Sequence, residues 1–385
     1  MRLGEALLAL AALLPGAAGT QPLASPLHDD DIPRILALGP WPPPAVHDPS
    51  NRVSGQPAAI AFGAALFHEP RLSRDAQRSC ASCHQSARAF SDGLPRAQGL
   101  QPGMRNTPGL ANVGQQRWFG WDGANDNLWA QSLRPLLDAR EMGSSLAQLA
   151  RTVREQPELR AGYHSSFGHA PGDDDETVAV DVAKALAAFQ QTLVTSRTPF
   201  DDFRDAVARG DRVAAAAYPA AAQRGLALFL GRGRCYVCHG GPTFSNGEFS
   251  DIGRPFFIAK GQVDPGRHGG IQALQRSRYN LLGPFNDDAT RSTATPTRHV
   301  LLEHRHFGEF KVPSLRNLAH TAPYMHDGSL ATLRDVLRHY SELDQNRLHA
   351  DGEAILVPLR LSAGQTDDLL AFLHSLSEPV ATAAR

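Results

Sequence analysis

Apolar positions along this chain follow helical rather than strand spacing. Ala58 to Leu66 and Ser145 to Arg154 have helical composition, and Val178 to Thr192 (VAVDVAKALAAFQQT) is an Ala-rich amphipathic run. Ala220 to Phe229 and Thr366 to Leu376 complete the set of expected helices. No series of alternating apolar and polar residues marks a strand. The 28 Pro and 34 Gly concentrate between these helices, so the pattern predicts a mainly α protein with long loops. Upstream, Pro40-Trp41-Pro42-Pro43-Pro44 cannot be helical and predicts an extended arm over the surface.

The N-terminus has a different pattern. Arg2 precedes the apolar run Leu7 to Leu14, which ends in Pro15-Gly16-Ala17-Ala18-Gly19. That is the layout of a secretory signal peptide, and the run is too short to span a bilayer comfortably. An uncleaved anchor is the alternative reading. No Cys lies near the cleavage site to carry a lipid, and no later segment approaches transmembrane length. The mature chain is therefore expected in the periplasm, with no transmembrane segment after signal cleavage.

A length of 385 residues suits two domains, and 42% hydrophobic with 20% charged residues is enough to bury a real core. The formal net charge of −1 gives no field for nucleic acid or an anionic membrane surface. The expected division is a signal peptide over 1–19, an N-terminal arm over 20–57, a first domain over 58–210 and a second over 211–385. The boundary falls in the polar stretch Arg209-Gly210-Asp211-Arg212.

Four cysteines carry the chemistry. Two disulfides would be the default in an exported protein. Here the cysteines stand in Cys80-Ala81-Ser82-Cys83-His84 and Cys235-Tyr236-Val237-Cys238-His239. Each is a CxxCH haem-attachment motif: two thiols on one turn add to the haem vinyl groups, and the adjacent His supplies an imidazole to the iron. A zinc site built from both CxxC pairs is the non-haem alternative, but it leaves both His residues unexplained. The motifs begin at 80 and 235, 155 residues apart, and similar helices precede them, AAIAFGAALF and AAQRGLALFL. That similarity points to a duplicated haem c unit.

From about Ala58 to Ser377 the chain resembles the bacterial di-haem cytochrome c peroxidase and MauG family. The resemblance is carried by both CxxCH motifs, Arg105-Asn106-Thr107-Pro108, Trp121-Asp122-Gly123, Glu141-Met142-Gly143, Gly240-Gly241-Pro242 and the run Val312 to Tyr340. EHRHFGEFKVPSLRN and the HYSEL ending resemble MbnH-like enzymes in particular, which accompany methanobactin-type systems. The resemblance implies two cytochrome c-type domains, each with a covalent haem c. His84 and His239 would be the proximal ligands. Asn106, Thr321 and Pro323 would hold a calcium ion between the domains, the last two through carbonyl oxygens suited to a hard cation. Trp121 would lie between the haems, and Gln131 and Glu141 beside the peroxide-binding haem. His326 matches a family histidine near the haems. On the residues alone, Trp121 could be core, Gln131 a solvent-facing helix residue and Asn106 the cap of a turn. Trp118 and Trp129 read as packing, and Asp173-Asp174-Asp175-Glu176 as a helix start.

Two positions bear on the subtype. Other family members carry a distal His between the first CxxCH and the RN-P motif. Here Gln85 to Arg105 contains none, and the next His after His84 is His164. The first haem is therefore expected to have an open sixth position, with Met104 as the rival ligand. Tyr340 stands where peroxide-removing members have Met as the sixth ligand of the second haem, and MauG-type members have Tyr; Met325 is the rival thioether. A phenolate lowers the haem potential and stabilises higher oxidation states.

The resemblance thus implies an oxidoreductase that reacts with hydrogen peroxide, reaches a high-valent di-haem state and oxidises a residue of a partner protein. Glu141, oriented with Gln131, would move the peroxide proton. One oxidising equivalent would pass through Trp121. A cytochrome c peroxidase fed by a small cytochrome c or cupredoxin is the second reading, and a passive electron-transfer protein the third.

Overall fold

The computed structural model describes residues 27–254, 257–259, 262–348, 350–351 and 355–378. The expected signal segment and the first residues of the arm lie outside the described residues. Ten helices of nine or more residues order the chain: α1 (Pro57–Phe67), α2 (Leu128–Leu137), α3 (Leu146–Glu155), α4 (Pro157–Phe167), α5 (Asp175–Gln190), α6 (Pro199–Ala208), α7 (Ala220–Leu230), α8 (Arg267–Arg276), α9 (Leu333–Ser341) and α10 (Ala363–His374). Among the described residues, strand is confined to two short antiparallel pairs. β1 (Phe249–Ser250) pairs with β4 (Phe310–Lys311), and β2 (Phe257–Ala259) with β3 (Gln262–Val263). Two or three residues are too few to leave a period in the sequence.

The expected helices recur with shifted ends. α5 begins earlier than Val178 because Asp174 accepts hydrogen bonds from the Thr177 N–H at 3.2 Å and the Thr177 hydroxyl at 2.5 Å, capping the first turn. The acidic run is thus a helix start. Five further helices, α2, α4, α6, α8 and α9, were not expected. α4 and α6 open on Pro157 and Pro199, and α2 holds Pro135 in its interior. Proline at a first helical position begins a helix rather than breaking one.

Two cores result. α5 is buried along almost its whole length, with α1, α2 and α3 around it and Phe62, Leu66, Trp129, Leu133 and Tyr163 in the shared interior. In the second core α7 crosses α10, with Phe200, Phe229, Phe244, Leu369 and Phe372 at the centre. The arm is not wholly extended: Ile32–Ala37 is a short helix, opened by Pro33, and Leu27, Ile35 and Leu38 insert into the second core. Its proline run is irregular, as expected, with Trp41 buried and its Nε1 donating to the Thr195 carbonyl at 2.9 Å.

Both cores are built on the same crossing. A Cβ on Gly63 of α1 would lie 2.0 Å from the Ala185 carbonyl oxygen of α5, and 2.9 Å from Phe189 Cβ. A Cβ on Gly225 of α7 would lie 2.0 Å from the Asp368 carbonyl oxygen of α10, and 2.8 Å from Phe372 Cβ. In each half a glycine lets two helices touch backbone to backbone, one turn before a phenylalanine. The crossing sets the helices that precede each CxxCH turn.

Candidate functional site

Each CxxCH segment is one tight turn ending in a pinned histidine. Cys80–Cys83 forms a helical turn, with the His84 N–H donating to the Cys80 carbonyl at 2.9 Å. His84 Nδ1 lies 2.8 Å from the Phe90 carbonyl oxygen. A carbonyl only accepts, so Nδ1 carries the proton and Nε2 is left as a free lone pair. In the second turn His239 N–H donates to Cys235 O at 2.8 Å and Nδ1 donates to Phe244 O at 3.0 Å, with the Pro313 backbone as a further partner of the ring. Phe90 and Phe244 hold positive φ, 62° and 53°, which turns each carbonyl toward its histidine. Burial lowers the pKa of both histidines, keeping them neutral and able to ligate. The four cysteines are free thiols rather than disulfides. Burial pushes Cys80 and Cys235 up to about 12. Among the described residues no three His, Cys, Asp or Glu cluster as a metal site, which removes the split zinc alternative.

The second turn opens onto a cavity of about 230 Å³. His239, Cys235, Phe229, Leu369 and Leu373 line it, with Leu337 and Tyr340 of α9. Burial, followed by the Cys235 and Cys238 charges, pushes the Tyr340 phenol above its ordinary range. Met325 lines the same cavity. So do Asn106, Trp121, Thr321 and Pro323, which brings residues of both halves to one place. Trp121 Nε1 donates to the Asn106 carbonyl at 2.9 Å, and the Asn106 N–H donates to the His326 carbonyl at 2.8 Å. Asn106 Nδ2 donates to Leu94 O at 2.8 Å. Among the described residues Asn106 Oδ1 and the Thr321 and Pro323 carbonyls accept no hydrogen bond. This oxygen set fits a hard cation. His326 stacks on Phe310 at 3.5 Å between ring centroids, and burial pushes it down to about 4.

At the first turn, the Leu100 N–H donates to Glu141 O, and the Gln101 N–H to Arg140 O, both at 2.9 Å. This stitches the loop after His84 to the Glu141 segment. Burial raises the Glu141 carboxyl above its usual range, with Arg134 opposing, and its charge reaches both Cys80 and Cys83. Gln131 sits on α2 with Oε1 accepting from Asn125 Nδ2 at 2.9 Å. No hydrogen bond joins Gln131 and Glu141 among the described residues. Behind Trp121, burial pushes the Asp122 carboxyl up, but Arg105 and Arg134 outweigh it and hold the group low. Arg105 donates to Asp122 at 2.6 Å and makes two bonds of 2.7 Å to Asp264, tying the halves together. Met104 is half-buried, and His164 is exposed on α4.

The halves also repeat each other at a spacing of 205 residues, which comparison of the helices before each CxxCH did not find. Asn112 and Asn317 have φ of 63° and 62°, and Gly123 and Gly328 of 63° and 61°. The bridges Phe119–Asn125 and Tyr324–Leu330 match. α2 and α9 begin at Leu128 and Leu333, each capped by the preceding side chain, Asn127 or Thr332. The shared Asp-Gly after Trp121 and His326 was the available signal. In this register Trp121 matches His326, Gln131 matches Val336, and Pro135 matches Tyr340.

A family model described as di-haem cytochrome c peroxidase matches residues 57–209. The methylamine utilization protein MauG of Methylorubrum extorquens is 35% identical over 91% of this chain and 87% of that protein. The chain belongs to the di-haem cytochrome c peroxidase and MauG family. The cytochrome-c peroxidase IdrP2 of Pseudomonas sp. (strain SCT) is 30% identical over 89% of this chain and 85% of that protein. A crystal structure of a MauG-like protein associated with microbial copper homeostasis superposes with a TM-score of 0.67 at 28% identity, covering 90% of this chain and 98% of that one. Family membership makes this chain a di-haem peroxidase-type oxidoreductase and implies two haem c groups. The residues present fit them: two half-buried thiol pairs, two neutral imidazoles each pinned through Nδ1, and an apolar cavity beside the second. None of the described helices is long and apolar enough to cross a membrane.

Proposed function

We propose that this protein acts in the periplasm, using hydrogen peroxide to oxidise a residue of a partner protein rather than merely removing peroxide. The observation that carries this reading is the asymmetry of the matched positions. Tyr340 in the second half stands against Pro135 in the first, and the loop Gln85 to Arg105 offers no histidine. One site is thereby left open to peroxide, and the other is given an anionic oxygen donor. Haem c, bound through Cys80, Cys83 and His84 and through Cys235, Cys238 and His239, supplies the iron redox chemistry.

The chain's own residues do the rest. The Phe90 and Phe244 carbonyls fix the imidazole tautomers, so each histidine offers Nε2. The Glu141 carboxylate takes a proton from one peroxide oxygen, and its raised pKa lets it hold that proton and return it to the other, departing oxygen, which leaves as water. Gln131, held by Asn125, orients the peroxide. Trp121, bonded to Asn106 between the halves, is the route for oxidising equivalents. Asn106, Thr321 and Pro323 hold calcium there. A partner docks outside, because two covalent haems fill the interior. The resemblance to MbnH-like enzymes favours a tryptophan of a small periplasmic protein as the target, and the copper-homeostasis association of the 28%-identical relative agrees with it.

The test is electron paramagnetic resonance of the ferric protein, followed by peroxide without reductant. A high-spin signal that peroxide removes for minutes supports the proposal. Two low-spin signals, inert until a small cytochrome c or cupredoxin reduces the protein, would establish the peroxide-removing reading instead.

A further inference from the structure

The four tryptophans of this chain are not electrostatically alike. Arg316 places its guanidinium 3.7 Å from the Trp41 ring centroid. Arg267 stands 4.4 Å from the Trp118 centroid, with Arg117 at 5.7 Å. The Lys184 ammonium lies 5.3 Å from the Trp129 centroid. Trp121 has no cation over its ring among the described residues; its Nε1 instead donates to the Asn106 carbonyl. We propose that the cations over Trp41, Trp118 and Trp129 keep those rings reduced and confine an oxidising equivalent in the protein to Trp121. This rests on the peroxide-oxidase reading above.

The physical argument is one of charge. Reduction of one peroxide to two waters takes two electrons and two protons. An electron drawn from an indole leaves that ring with a positive charge. A ring already facing a cation loses its attraction to it on ionisation and gains repulsion, undiminished by water where both are buried. Trp41, Trp118 and Trp129 are all buried, as are Arg316, Arg267 and Lys184. At Trp121 no cation stacks on the ring among the described residues, and the Asn106 carbonyl oxygen on its N–H favours the positive ring.

Arg267 shows the arrangement most clearly. It lies between Trp118 and Phe249, 4.0 Å from the Phe249 centroid, and donates to the Gly123 carbonyl at 2.8 Å and the Asp122 carbonyl at 3.3 Å. Arg316 and Lys184 have carboxylate partners, Asp201 at 2.8 Å and Asp287 at 2.6 Å. No carboxylate forms a direct ion pair with Arg267 among the described residues; Asp122, Glu248 and Glu309 act on it only from a distance. It stands on the tryptophan three residues from Trp121, the ring best placed to divert an oxidising equivalent.

The experiment is peptide mass mapping of oxidised tryptophan in the holoprotein without partner. One arm uses hydrogen peroxide. The other uses azide radicals from radiolysis, which take single electrons from indoles without peroxide. Wild type is expected to carry oxidation at Trp121 at least about tenfold above the other three, the ratio equivalent to ~1.4 kcal/mol and within reach of a desolvated cation–π contact. Arg267→Gln is expected to bring Trp118 to the level of Trp121, Arg267→Lys to protect it, and Arg117→Gln to expose it partly. Equal oxidation of Trp118, Trp129 and Trp121 in wild type overturns the proposal. So does equal Trp118 oxidation in the Gln and Lys variants, which would mean that packing, not charge, protects the ring. Where Arg267→Gln fails to fold, Arg117→Gln decides the matter, because Arg117 also stands over the Trp118 ring, and an unchanged Trp118 level in that variant overturns the proposal. The ranking under azide, with no oxidation under peroxide, would refute the peroxide reading while sustaining confinement.

Discussion

Gly225→Ala is expected to destabilise the second half while leaving the first intact. The Cβ of the variant would start 2.0 Å from the Asp368 carbonyl oxygen and 2.8 Å from Phe372 Cβ. Ordinary contact begins at 3.4 Å, so α7 and α10 must part by more than an ångström along their crossing. The obstructing atom is helix backbone and cannot rotate away. Overpacking of this kind costs ~1–3 kcal/mol, and the rigid carbonyl places this site at ~3 kcal/mol. For a half of this size that lowers Tm by ~6–12 °C. Phe229, Leu369 and Leu373 line the cavity beside His239, so the parting helices also move the second haem slot. Calorimetry should show one lowered transition, and resonance Raman should show a changed environment only for the haem that His239 would hold. Gly63→Ala should give the mirror result, with the His84 haem affected. A Tm within 1 °C of wild type for both variants would refute the claim that these crossings hold the two cores.

Further outcomes follow from the site. Glu141→Gln should slow the peroxide reaction ~10²-fold or more at neutral pH with the spectra unchanged; stopped-flow absorbance measures it, and an unaltered rate removes Glu141 from proton transfer. Tyr340→Met should raise the potential of one haem in a redox titration, and no shift would mean that Tyr340 is not a ligand. Arg105→Met leaves Asp264 buried without its partner and Asp122 with only Arg134 at 3.7 Å, and a loss of ~3–5 kcal/mol in denaturant titration is expected. Burial depresses the Lys311 ammonium to about 8, so its folded form releases a proton before its unfolded form does. Its destabilising effect is therefore full below about 8 and fades as pH rises toward the unfolded value. The stability difference between Lys311→Met and wild type should shrink over that interval, and a constant difference would contradict the shift.

What the sequence made legible was whatever is encoded locally. Five residues suffice for CxxCH, because two thiols and an imidazole on one turn are the whole of that chemistry. α1, α3, α5, α7 and α10 were legible from composition alone. α2 was hidden by Pro135, and α4 and α6 by prolines that open helices instead of ending them. Contacts between distant segments leave no local trace. Arg316 over Trp41 and Arg267 over Trp118 join residues that only the fold brings together. Asn106, Thr321 and Pro323 line one cavity for the same reason, and only resemblance to a family could name them in advance.

The repeat at 205 residues sharpens the functional argument, because it separates what a haem fold needs from what this protein does. Shared features serve the fold: the left-handed asparagines, the Asp-Gly turn, the capped helix and the carbonyl that pins each histidine. Unshared features fall where chemistry must differ. Pro135 has no donor to offer an iron, whereas Tyr340 has a phenol. Gln131 can hydrogen-bond peroxide, whereas Val336 only fills space. Trp121 can release an electron at modest cost, whereas His326, held neutral by burial and stacked on Phe310, cannot readily do so. A carrier of electrons would have no reason to break its own symmetry at all three places. An enzyme that admits peroxide at one haem and stores oxidising power at the other would break it there.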